Sequence, residues 1–140
     1  MTPKQRTRAR IVQALYQWRL GGDDLDDIKN QFLANKKDRI SRGYFKEVLI
    51  GISKDIDNLN KIINSFLDDK DVEELGYTEH AILLLSCYEF LYKIEIPYKV
   101  VINEAIELAK IYGAEKSHKY INAILDKLAQ DIRSLEIKNS

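Results

Sequence analysis

Apolar residues along this chain recur at intervals of three and four, the spacing that lays them on one face of an α-helix. No stretch alternates apolar and polar positions convincingly, so the pattern predicts an all-α fold of about seven helices. The first spans residues 4–20. At 100° per residue, Ile11, Val12, Leu15 and Trp18 share one side, while Arg6, Arg10, Gln13 and Gln17 fall in a narrow arc on another. Gly21-Gly22 ends it. Residues 24–34 form a second helix, led by acids that suit a helix N-terminus. Ser41 is placed to cap a third, which runs to about residue 51 and continues, kinked, to residue 67; Val48, Ile52, Ile56, Leu59, Ile63 and Phe66 keep the spacing. A short turn at residues 72–75 follows. Thr78 reads as the cap of a helix over residues 79–94 that is apolar nearly all round, the mark of a buried central helix. Pro97 sits in the first turn of the next, which ends near Gly113. Ser117 caps the last, where Ile121, Ile124, Leu125, Leu128, Ile132 and Leu135 make one stripe and Lys119, Asn122, Asp126 and Gln130 oppose it.

With 140 residues, the chain fits one domain, and a chain of this size buries roughly 70% of the surface its unfolded form exposes. It needs no metal or disulfide to fold. The lone Cys87 rules out an internal disulfide and a cysteine-based zinc site. The longest apolar run, Ala81 to Leu85, is far too short to span a bilayer, and no signal peptide is evident. These features imply a cytoplasmic protein.

Charge matters through its distribution, since 22 Lys and Arg balance 22 Asp and Glu. The first twenty residues carry Lys4, Arg6, Arg8, Arg10 and Arg19 and no acid; Asp23, Asp24, Asp26 and Asp27 follow at once. A neutral protein with a localised basic segment can bind a polyanion there.

The sequence offers little for catalysis. It has no phosphate-binding glycine loop, no dinucleotide fingerprint and no metal-ligand cluster, so no catalytic residue, metal or cofactor is expected. His80 and His118 are isolated and read as surface or capping residues. Cys87, in an apolar helix, reads as an inert core residue. Glu89 interrupts the same helix; a structural ion pair and a functional carboxylate both fit it. Two segments suit nucleic acid. On the first helix, Arg6 and Arg10 project together, with Gln13 and Gln17 extending their face toward base edges and Lys4 at its start. Arg8 points elsewhere, beside Val12 and Leu15, and could pair with an acid as readily as bind RNA. In residues 113–120, a helix N-terminus combines with Lys116, Lys119 and Tyr120, and Asn122 adds an amide. A solvated helix face and an ordinary helix–helix connection account for the same two patterns.

Those two segments also carry a resemblance. Residues 8–16, R-A-R-I-V-Q-A-L-Y, look like the opening motif of the NusB family. Residues 97–127, P-Y-K-V-V-I-N-E-A-I-E-L-A-K-I-Y-G-A-E-K-S-H-K-Y-I-N-A-I-L-D-K, resemble its most characteristic block, and residues 73–90, E-E-L-G-Y-T-E-H-A-I-L-L-L-S-C-Y-E-F, follow its central-helix pattern. The match extends over nearly the whole chain. It implies two helical subdomains packed across each other within a single RNA-binding domain, residues 1–140. It also implies a non-catalytic antitermination adaptor that pairs with NusE, a protein that also serves in the small ribosomal subunit. The pair would bind boxA RNA in nascent transcripts, particularly of ribosomal RNA operons, and act on RNA polymerase within an antitermination complex. Some relatives self-associate, so a homodimer stays open. The family's RNA contacts carry over to Lys4, Arg6, Arg8 and Arg10, and to Lys116, Ser117, Lys119, Tyr120 and Asn122; Glu79 matches a position associated with the NusE interface. The chain departs from the family at Leu84, where an arginine is usual, at His80, Thr7 and Lys116. A detached methyltransferase domain and a purely protein-binding helical module are the competing readings; the first would need a catalytic domain that residues 1–140 lack.

Overall fold

The computed structural model describes residues 1–139, which form eight α-helices and no strand among the described residues. Helix α1 (Pro3–Leu20) opens with a reciprocal cap: Thr2 Oγ1 accepts from the Gln5 N–H at 3.1 Å, and the Gln5 side chain accepts from the Thr2 N–H at 2.9 Å. Gly21 and Gly22, both at positive φ, end it. Helix α2 (Leu25–Ala34) is capped by Asp24, whose carboxylate accepts from the Asp26 N–H. The helix expected to run from Ser41 to residue 67 is two, α3 (Arg42–Lys54) and α4 (Ile56–Asn64), broken at Asp55. Ser41 stands at the cap position but makes no side-chain cap bond; its N–H instead donates to Thr7 Oγ1 at 2.8 Å, tying α3 to α1.

A 3-10 turn (Val72–Glu74) leads to α5 (Tyr77–Tyr92), which begins one residue before Thr78, so Gly76 and not Thr78 is the cap. Pro97 likewise precedes α6 (Tyr98–Tyr112) as its cap. The last expected helix breaks at Arg133 into α7 (Ser117–Ile132) and α8 (Ser134–Lys138). The break shifts the helical phase, so Leu135, expected in the apolar stripe, is 75% exposed. Arg133 explains the geometry. Its buried guanidinium donates to the carbonyls of Glu89, Phe90, Lys93 and Ile96 and pairs with Glu136 at 2.5 Å, binding the C-terminal end of α5 to α8.

Helix α5 is the hub. Every residue from His80 to Phe90 is buried, the apolar run from Ala81 to Leu85 as its pattern predicts and the polar His80, Ser86 and Glu89 with it, and the helix packs against α1, α3, α4, α6 and α7. On one side α1, α2 and α3 pack together; on the other α6 lies along α7. One continuous core joins them, centred on Ile11, Phe45, Ile52, Leu83, Phe90 and Ile121, each worth about 1.5–3 kcal/mol when fully buried. Gly51 lets the Tyr88 side chain of α5 pack directly on α3: a Cβ there would lie within 2.3–2.6 Å of the Tyr88 ring and hydroxyl.

Candidate nucleic-acid interface

The cations of α1 divide between three environments. Arg8 is 4% exposed and points into the core side of the helix, where its Nε donates to both carboxylate oxygens of Glu89 at 3.1 and 3.2 Å. The Tyr44 hydroxyl, on α3, donates to the same carboxylate. Arg8 is thereby corrected from a candidate RNA contact to an internal ion pair, and Glu89 is a structural carboxylate. Burial and the neighbouring anion push the Tyr44 phenol far above its ordinary range. Lys4 points the same way as Arg8: its Nζ lies 3.6 Å over the Tyr44 ring, and partial burial, then the Arg8 charge, lower its pKa.

Arg6 and Arg10 do share the outer arc, but both reach the loop between α2 and α3. Arg6 donates from Nη1 to the Arg39 carbonyl at 2.6 Å and from Nη2 to the Met1 carbonyl at 3.0 Å. Arg10 grips the Asp38 carboxylate through Nε at 2.7 Å and Nη2 at 3.4 Å. The glutamines of the arc face open space. Gln13 and Gln17 line a groove with Val12, Tyr16, Phe32, Thr78 and Tyr112. Through Gln13 and Phe32 it meets a second groove bounded by Arg10, Gln31, Asn35 and Asp38. Polar amides and aromatic rings together line this trough, an arrangement that can stack an unpaired base and hydrogen-bond its edge. Of its rings only Tyr16 belongs to α1; Phe32 and Tyr112 cannot be read from that helix because α2 and α6 deliver them.

The turn between α6 and α7 is held against the start of α5. The Glu79 carboxylate accepts from the Ala114 N–H at 3.4 Å and lies beside Gly113 and Ser117. Lys116, not Ser117, precedes the first residue of α7, and it does so at φ 68°, the one non-glycine positive φ among the described residues. Ser117 Oγ makes no cap bond and has no hydrogen-bond partner. Lys116 and Lys119 are exposed. Tyr120 and Asn122 do not form one surface: two residues at 100° each set them roughly 160° apart around α7. Tyr120 lies in a cleft with Asp68, Asp69, Lys70 and Lys127, with the Lys70 ammonium 5.5 Å over its ring. Burial and Asp68 raise its phenol pKa.

His80, expected at the surface, is 8% exposed. Its Nε2 donates to Asn60 Oδ1 at 2.7 Å while Nδ1 accepts from Arg19 at 3.1 Å. This arrangement requires the neutral ring, and burial followed by the Arg19 charge lowers its pKa to about 4. Cys87 is buried, and desolvation pushes its thiol up to about 12. Among the described residues, no group of three or more His, Cys, Asp or Glu side chains could hold a metal ion, and no helix is long and apolar enough to cross a membrane.

Comparison with known proteins agrees with this architecture. The model of the NusB family matches residues 5–130. A Proteus mirabilis protein named transcription antitermination protein NusB is 43% identical over 136 residues, covering 95% of this chain and 98% of that one. A Pectobacterium carotovorum protein of the same name is 46% identical over 137 residues, covering 95% and 97%. Among solved structures, T. maritima NusB superposes with a TM-score of 0.80 at 32% identity, covering 93% of this chain and 92% of that one. The NusB of a NusB–NusE complex with double-stranded RNA superposes with a TM-score of 0.78 at 23% identity, a likeness of fold, covering 91% and 96%. With the family match spanning most of its length, the chain belongs to the NusB family.

Proposed function

We propose that this chain is a transcription antitermination factor, a non-catalytic adaptor that binds boxA RNA together with NusE and delivers the pair to RNA polymerase. The observation that carries this reading is the likeness along nearly the whole chain to relatives named transcription antitermination protein NusB. The NusB of the same fold solved with NusE and RNA supports the choice of partners.

The geometry suits the task. RNA read as a single strand needs rings for stacking, amides for base edges and cations for phosphates. The trough along α1 offers Tyr16, Phe32 and Tyr112 with Gln13 and Gln17. Lys116 and Lys119 at the start of α7 supply exposed charge, while at the other end Arg6 and Arg10 brace the α2–α3 loop and Lys4 lies over the Tyr44 ring. Tyr120 and Asn122 flank α7 on its two sides and engage separate stretches of RNA or partner. Glu79 touches the α6–α7 turn and joins the NusE face to the RNA face, so that NusE binding bears on the position of Lys116. Arg8 serves the site by holding α1 on α5.

The test is fluorescence anisotropy of a boxA-like single strand against a scrambled strand, with and without NusE, at two salt concentrations. Selective binding, tightened by NusE and weakened by salt, is expected. Equal or absent binding to both strands in the presence of NusE would leave a helical protein-binding module instead.

A further inference from the structure

The loop between α2 and α3 is a charged feature that the first helix does not explain. Residues 36–39 read K-K-D-R. Its acid faces inward: the Asp38 side chain is only 9% exposed and is neutralised by Arg10. Its cations face outward: Lys36, Lys37 and Arg39 are exposed, and their side chains make no hydrogen bond or ion pair among the described residues. The loop therefore presents three free positive charges from a segment whose formal charge is only two.

The loop is also fixed in place. Arg6 holds the Arg39 carbonyl, and Thr7 Oγ1 holds the Ser41 N–H at 2.8 Å. Arg42 donates to the carbonyls of Leu33 at 2.6 Å and Asn35 at 2.9 Å. Within the loop, the Lys37 N–H donates to Asn35 Oδ1 and the Asp38 N–H to the Asn35 carbonyl. A backbone tied this often loses little further entropy when a ligand binds. The loop rims the groove of Arg10, Gln13, Gln31, Phe32 and Asn35, which continues into the aromatic trough. The acids that open α2 lie at the other end of a ten-residue helix, about 15 Å away along its axis.

Resting on the RNA-binding reading above, we propose that Lys36, Lys37 and Arg39 of the α2–α3 loop are the phosphate-contacting cations at this end of the trough, and that Arg6 and Arg10 are positioning residues that hold them there. RNA phosphates then run along the loop while bases turn into the trough, the usual division between positioning and reading contacts. The guanidinium groups of Arg6 and Arg10 are committed to Asp38 and to carbonyls, so their removal weakens RNA binding through the loop.

The experiment compares three forms of the full chain with a labelled boxA-like single-stranded RNA, with NusE present, by anisotropy across a salt series. The forms are the wild type, a Lys36→Ala/Lys37→Ala/Arg39→Ala variant, and a control of equal charge, Lys46→Ala/Lys54→Ala/Lys61→Ala, whose exposed lysines lie on α3 and α4. All the substituted side chains are exposed, and matching thermal melts will confirm that the fold is kept. The loop variant is expected to bind at least tenfold more weakly. Its log–log salt slope should be shallower by about two, from about 0.7 per lost phosphate contact on a single strand. The control should lose less than threefold, with its slope unchanged. Acetylation of Lys36 and Lys37 in the wild type should be suppressed by RNA. If the wild type binds RNA but the loop variant behaves like the control, the loop assignment is wrong and the RNA-binding reading stands. A wild type that binds no RNA overturns both.

Discussion

Replacing Arg8 by methionine separates an internal ion pair from an RNA contact. Methionine keeps the length of the side chain and removes the charge, leaving the Glu89 carboxylate, 1% exposed, with only the Tyr44 hydroxyl. Breaking a buried pair from one side costs about 3–5 kcal/mol, because the remaining charge is neither solvated nor compensated. A domain of this kind has about 5–15 kcal/mol in total, so Arg8→Met should remove about a fifth of it or more. With a urea m-value near 2 kcal/mol/M, the unfolding midpoint should fall by about 2 M, read by far-UV circular dichroism with the m-value unchanged. Removing the whole cluster should reverse most of the loss. Arg8→Met with Glu89→Leu and Tyr44→Phe leaves no buried charge or orphaned hydroxyl, and it should come within about 1 kcal/mol of the wild type. The triple variant should also bind RNA as the wild type does, because none of the three groups faces the trough. A single variant costing under 1 kcal/mol, or a triple variant as unstable as the single, would refute the argument.

Three further outcomes follow from the geometry. His80 has a folded pKa of about 4 against an ordinary 6.5, so the unfolded chain binds the extra proton first. Its contribution is complete above pH 6.5 and lost as pH falls toward 4, roughly 3 kcal/mol in all; His80→Gln should flatten the urea-midpoint profile across that window. Gly51→Ala should destabilise by about 1–3 kcal/mol in the same assay, although alanine is the better helix former, because the new methyl displaces the Tyr88 ring. Lys116→Gly should raise stability by up to about 1 kcal/mol by relieving the left-handed backbone at the start of α7, while weakening RNA binding through the lost charge.

Helical periodicity carried most of the fold because each helix buries a stripe set by its own spacing. The largely apolar stretch after Thr78 became the hub helix, and Cys87 is buried in it. Three departures share one cause: a partner distant in sequence. Arg8 lies beside Val12 and Leu15 on α1, where the sequence leaves an ion pair and an RNA contact equally open, because its acid stands 81 positions on. His80 is buried because Asn60 and Arg19 satisfy both ring nitrogens. The helix expected to reach Leu135 stops where Arg133 turns inward to the carbonyls at the end of α5. Local pattern gives a side chain's direction but cannot say what waits there.

The same distinction governs the candidate site. The arc of Arg6, Arg10, Gln13 and Gln17 was legible in the spacing, and the structure keeps it on one face. Spacing could not tell which members remain free. The glutamines are left open, whereas the arginines are drawn to the α2–α3 loop, Arg10 to its only acid and Arg6 to a loop carbonyl. Exposed positive charge is thereby moved from a rigid helix to a loop braced against it, at the end of a trough lined with rings. An arginine on a helix can be counted from sequence; whether it meets the ligand or supports the group that does depends on the neighbour the fold supplies. That is why the decisive comparison sets the loop cations against an equal number of lysines elsewhere, and not α1 against nothing.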